Sequence, residues 1–111
     1  MGIQKWSDDV ILVTLAEEPQ MGDELRTVND IVSRNGGCNV VVDFADVDIV
    51  TSSSIAKMLK LRKTCKDTGK KLVLCGMRAS THSILVVTGL ESVFEFAQDK
   101  FLALAGLQFV S

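Results

Sequence analysis

The stretch VDIVTSSSIAKM, Val47 to Met58, places four hydroxyl side chains, Thr51, Ser52, Ser53 and Ser54, in a row between an apolar run and an amphipathic segment. Two kinds of chemistry suit such residues. A hydroxyl just before a helix accepts a hydrogen bond from one of the first backbone N–H groups, which lack intrahelical acceptors. One residue suffices for that task. The same N–H groups and the partial positive charge of a helix start also accommodate a phosphoryl group, so an exposed serine there is a candidate for modification. A phosphate adds about -1.5 to -2 charges, which changes what docks on the surface rather than the fold beneath it.

Other chemically capable residues are sparse. His82 is the only histidine and stands in STHSILVV, where a surface or helix-end position is expected. No Ser, His and Asp set shows a spacing that argues for a hydrolase, and an enzyme is not expected. Asp43, Asp46 and Asp48 lack the glycine and distal Glu of a calcium loop and are read as loop solvation. DTGKK, Asp67 to Lys71, contains Gly-Lys but joins helix to strand, the reverse of a phosphate-binding loop. Cys38, Cys65 and Cys75 form no CxxC pair and are read as reduced packing residues, including the one in CGM.

The elements that must position these residues are legible from their periodicity. VILVTL, Val10 to Leu15, reads as a strand, and a short strand in GIQKW pairs with it through a turn at Ser7 to Asp9. Met21, Leu25, Val28, Ile31 and Val32 recur at helical spacing over Met21 to Ser33, and NGG ends that helix. NVVVDF reads as a strand buried on both faces. Ile55, Met58, Leu59 and Cys65 give the following helix an apolar face, and Gly69 stops it. LVLCG reads as a strand, RASTHSILVVTG as a short helix closed by Gly89, SVFEF as a last strand and DKFLALAGL as a terminal helix. The order β, β, α, β, α, β, α, β, α predicts an α/β domain with mostly parallel strands, because a helix supplies the long crossover each parallel pair needs.

Composition sets further bounds. The 111 residues, 47% hydrophobic and 23% charged, suit one domain over 1–111 with a core of its own. The apolar runs are too short to cross a bilayer and the start MGIQKWSDD lacks the pattern of a signal peptide, so the expected address is the cytosol, without membrane insertion. The net charge of -2 conceals a division: residues 1 to 50 carry ten acids against three bases, and residues 51 to 111 nine bases against four acids. Five of those bases, Lys57, Lys60, Arg62, Lys63 and Lys66, follow the hydroxyl cluster and predict a positive outer helix face. With no Tyr and 5% aromatic residues, little is available for base stacking, and direct nucleic-acid binding is not expected.

The run VVVDFADVDIVTSSSIAKMLKLRKTCKDTGKKLVLCGM, followed by ILVVTGLESVFEFAQDKFLAL, resembles the STAS domain of the anti-sigma factor antagonist family. In that family an apolar strand leads into an Asp-Ser-Ser/Thr-Gly turn and a helix, followed by a G-K/G-x-L-x-L strand and a GL-x-x-x-F element. The likeness extends from Val10 to Leu107 and implies a mixed, mostly parallel sheet of four to five strands with about four helices. It places the acidic turn position on Thr51, the first serine on Ser52, the phosphoacceptor on Ser53, with Ser52 as second choice, and the glycine on Ser54. Thr51 and Ser54 depart from the pattern.

The resemblance implies a binding switch with no cofactor of its own. Unmodified, the chain would bind an anti-sigma factor or related serine kinase of the ATP-binding type through Asp46, Asp48, Thr51, Ser52, Ser53, Ser54, Ile55 and Lys57. Phosphorylated on Ser53, it would let go, and a phosphatase would reset it. The alternative is a STAS scaffold that is never phosphorylated, or the small subunit of a transporter or signalling complex. Self-association as a homodimer is left open.

Overall fold

The computed structural model describes residues 2–34 and 36–108. Five strands, β1 (Gly2–Ser7), β2 (Val10–Thr14), β3 (Asn39–Asp43), β4 (Leu72–Cys75) and β5 (Glu95–Ala97), form one sheet in the order β1-β2-β3-β4-β5. β1 and β2 make an antiparallel hairpin turned at Asp8 and Asp9, with a register shift between Lys5 and Ser7. The remaining pairs are parallel, with Val10 opposite Asn39, Val40 opposite Leu72 and Val73 opposite Glu95. Helices α1 (Gln20–Arg34), α2 (Ser52–Asp67) and α3 (Ala79–Val87) make the three crossovers, and α4 (Lys100–Gln108) closes the fold.

Strand order that follows chain order sends every crossover the same way, and their common right-handedness then puts α1, α2 and α3 on one face of the sheet. The core divides accordingly. Ile11, Val13, Val40, Val42 and Leu74 meet Met21, Leu25, Val28, Met58, Leu61 and Leu85 on that face. On the other, Val10, Leu12, Val41, Val73 and Cys75 meet Ala103, Leu104 and Leu107 of α4. Alternate residues of a strand point to opposite faces, so consecutive Val40, Val41 and Val42 are all 0% exposed.

The expected element order is the observed one, and most ends fall within two residues of their sequence-based positions. The last strand differs. Glu91–Val93 form a 3₁₀ turn and β5 starts only at Glu95, because the Val93 carbonyl accepts from Arg62 Nε at 2.7 Å and is turned away from the sheet. That bond also removes Arg62 from the free basic face expected on α2. Leu61, at 0% exposure, joins the apolar face where Leu59 is only partly buried.

Candidate functional site

Parallel strands deliver their following loops to one edge of the sheet, and here the loop from β3 to α2 lies beside those that follow β2 and β4. Phe44, Val47 and Val50 are buried and anchor this loop, while Asp46, Asp48 and Ile49 stand out from it. Phe44 O accepts from Val47 N at 3.0 Å and closes a turn. Glu17 Oε1 accepts from Asp48 N at 3.2 Å and Ile49 N at 3.3 Å, Thr81 Oγ1 donates to Asp48 O at 3.4 Å, and Arg78 pairs with the Asp48 carboxylate. Ile49, 66% exposed, is therefore held outward on a loop fixed from two neighbouring segments. Neither Glu17 nor Ile49 was singled out by sequence; the only signals were an acidic pair before Pro19 and a lone isoleucine among aspartates.

Asp43 corrects an expectation. It is 6% exposed rather than solvated, because its Oδ1 accepts from Ala45 N at 3.1 Å beneath the backbone of Gly76. Gly76 permits that approach: at φ +65° a Cβ there would lie 2.5 Å from the Asp43 oxygen. With Asp43 turned inward, the three aspartates do not converge. Among the described residues no group of three or more His, Cys, Asp or Glu side chains is placed to hold a metal.

The four hydroxyls separate into two pairs. Thr51 is the residue before α2, in extended conformation, and its Oγ1 accepts from Ser54 N at 3.2 Å. Ser54 Oγ accepts in return from Thr51 N at 3.3 Å, a reciprocal cap of both free donors. Ser54 is also fully buried and donates to Glu18 Oε2 at 2.8 Å. Its single proton being given to Glu18, the 3.0 Å contact between the two hydroxyls uses the proton of Thr51. The other carboxylate oxygen of Glu18 accepts from Gly22 N at 2.9 Å, so one side chain ties together the first turns of α1 and α2. Ser52 and Ser53 remain exposed. Ser53 Oγ accepts from Lys57 Nζ at 3.0 Å, one helical turn on.

Comparison with known proteins places this arrangement. The family model for the STAS domain matches residues 9–102. The chain belongs to the STAS domain family. Among solved structures it is similar to an anti-sigma-factor antagonist (STAS) domain protein from Planctomyces limnophilus, at 18% identity and TM-score 0.81, covering 97% of this chain and 99% of that one. It is similar also to the Bacillus cell fate determinant SpoIIAA in its phosphorylated form, at 11% identity and TM-score 0.72, with 95% and 96% covered. A sulfate transporter family protein from Wolinella succinogenes aligns at 17% identity and TM-score 0.70, with 93% and 88% covered. No curated protein matches the chain by sequence. At these identities the structural likeness speaks to the fold.

Within the STAS domain the two departures from the family turn have a shared physical account. Thr51 caps α2 without a carboxylate, and Glu18 brings one to the helix start from another element, where the partial positive charge favours it. Ser54 needs no glycine, since no non-glycine residue described has a positive φ and its own side chain points inward. Ser54 and Ile55, expected to contact a partner, are buried instead, at 0% and 9% exposed. His82 bonds Glu91 Oε2 through Nε2 at 2.7 Å and stacks on Phe96 with ring centroids 4.7 Å apart, a contact that joins α3 to the 3₁₀ turn and β5. Burial pushes the Cys65 and Cys75 thiols up to about 12 and raises Cys38 as well, which keeps all three protonated and unreactive at neutral pH. No helix among the described residues is long and apolar enough to cross a membrane.

Proposed function

We propose that this STAS domain is a protein-binding switch. With Ser53 unmodified it binds an anti-sigma factor or related serine kinase of the ATP-binding type; phosphorylation of Ser53 by that kinase releases it, and a phosphatase resets it. One observation carries the proposal: of four adjacent hydroxyls, two are engaged in capping, and of the exposed pair Ser53 is the one with a cation 3.0 Å away.

A dianion on Ser53 would sit between the ammonium of Lys57 and the N–H groups of Ser52 and Ser53, a setting that stabilises it without disturbing the core. The same charge would be added at the end of a loop that carries Asp46, Asp48 and the exposed Ile49 and is held by Glu17. A partner that seats apolar or acidic groups there would be expelled. Its contacts would be Asp46, Asp48, Ile49, Ser52, Ser53 and Lys57, with the rim of Thr51.

Incubation with ATP and the cognate kinase should add one phosphoryl group to the intact mass, absent in Ser53→Ala. Ser53→Ala should keep partner affinity, whereas Ser53→Asp should weaken it at least about tenfold, ~1.4 kcal/mol. A Ser53→Asp variant that binds as tightly as the parent overturns the electrostatic mechanism.

A second reading, a scaffold or small subunit of a transporter or signalling complex that is never phosphorylated, draws support from Thr51 in the place of the family's acid and from the fold shared with the Wolinella protein. It is favoured if the kinase adds no mass and partner binding ignores Ser53→Asp.

A further inference from the structure

At the far end of α2, about 20 Å along the helix from Ser53 at 1.5 Å per residue, α2, the turn from Thr68 to Lys71 and the starts of β4 and β5 enclose an open cavity of about 370 Å³. Four cations line it: Arg62 and Lys66, one helical turn apart, and Lys70 and Lys71 on the turn. Its single carboxylate, Glu95, lies 3.8 Å from the Lys71 ammonium. Among the described residues no carboxylate pairs with Arg62, Lys66 or Lys70.

Like charges gathered in a concavity repel one another, so their placement calls for a reason. Stabilising the carbonyl end of α2 is the first to consider, since cations are favourable there. Those carbonyls already have donors close at hand: Lys70 N donates to Cys65 O at 2.8 Å, Gly69 N to Lys66 O at 3.1 Å, and Thr68 Oγ1 to Thr64 O and Cys65 O at 3.0 Å. The lysine side chains are not needed for that purpose. Arg62 is moreover fixed by its bond to Val93 O, which leaves its terminal nitrogens without a protein acceptor among the described residues. A guanidinium held in place loses little further freedom on meeting an anion, and its fork suits phosphate. The cavity's remaining wall is apolar, from Leu72, Val93 and Phe94, over the neutral thiol of Cys65.

We infer that this cavity binds a small ligand carrying a phosphate or similar dianionic group on an apolar body, the anion held by Arg62, Lys66 and Lys70 and the body lying against Val93 and Phe94. The inference is independent of the switch proposed at Ser53, because it uses a different end of the helix and none of the same side chains.

Inorganic phosphate and phenyl phosphate, titrated into the labelled protein and followed by NMR, test it directly. Saturable shifts are expected at residues 62–72 and 93–95, with phenyl phosphate at least about tenfold tighter because its ring buries apolar surface. Lys66→Gln combined with Lys70→Gln should weaken binding about tenfold or more, and Lys100→Gln on α4 should leave it unchanged. The spectrum of the double variant reports its folding in the same experiment. Sedimentation with phosphatidylcholine vesicles containing phosphatidic acid separates two sources of the anion. Pelleting that is lost in the double variant assigns a lipid headgroup, and phenyl phosphate binding without pelleting assigns a free metabolite. Shifts spread evenly over all lysines, no saturation at millimolar phosphate, or a double variant that binds or pellets like the parent would overturn the inference.

Discussion

The two ends of α2 are closed by different means, and the difference decides which side chains are left for function. At its start, side chains do the capping: Thr51 and Ser54 satisfy each other's backbone donors, and Glu18 holds Ser54 from the neighbouring helix. Ser52 and Ser53 are left exposed and free of capping. At its end, the backbone donors of the Gly69 turn do most of the capping with help from the Thr68 hydroxyl, and the surrounding Lys66 and Lys70 are left facing a cavity. A helix terminus closed mainly by its own backbone keeps its charged side chains for other tasks.

Four measurements sharpen or break that contrast. The largest effect is expected from alkali, at the cysteine beneath the basic end. Burial raises the Cys65 thiol from 9.0 to about 12 in the folded chain. A group with a raised folded value contributes its full stability below pH 9 and loses it as pH climbs toward 12. The unfolding free energy from urea titrations should therefore fall across that window, by up to about 4 kcal/mol from this thiol. Cys65→Ala should give a shallower slope than the parent; an identical slope would show that the thiol is not what the buried end protects.

Glu18→Ala comes next. It strands the buried hydroxyl of Ser54 and removes the acceptor of Gly22 N, so a loss of about 2–3 kcal/mol is expected by equilibrium unfolding. Paired with Ser54→Ala, the two losses should fall short of additive by roughly 1 kcal/mol. Full additivity would mean that the two ends of that bond act separately. Gly69→Ala probes the backbone-capped end, where φ is +74° and open space surrounds the position. Strain alone should destabilise by about 1–2 kcal/mol, and a neutral result would deny that this turn closes the helix. Thr51→Ala, last, should cost about 1 kcal/mol while leaving the Ser54 to Glu18 bond in place. Loss of amide-exchange protection should be confined to the first turn of α2; a spread through the whole helix would mean that the cap holds more than its own end.

Much of the fold was legible from local pattern. Val40, Val41 and Val42 announce a strand buried on both faces, and the spacing of Met21, Leu25, Val28 and Val32 announces α1, because both signals reside in neighbouring residues. The candidate site was legible only as a cluster. Its order along the chain shows four equivalent hydroxyls; nothing in TSSS says that Ser54 is buried, since its acceptor lies 36 residues away. Arg62 read as one of five surface cations for the same reason, its acceptor at Val93 being 31 residues distant. Asp43 read as a loop acid because nothing local shows that the backbone of Gly76, just past the next strand, lies against it.

By itself, then, the chain determined the alternation of strands and helices, the parallel sense of most of its strands and the presence of hydroxyls at a helix start, all consequences of hydrophobic period and of the conformational limits of individual residues. Only the tertiary structure decided which of those hydroxyls faces solvent and which cations share a cavity. Both depend on groups brought together across the sheet, and a side chain's exposure is a property of its neighbours in space.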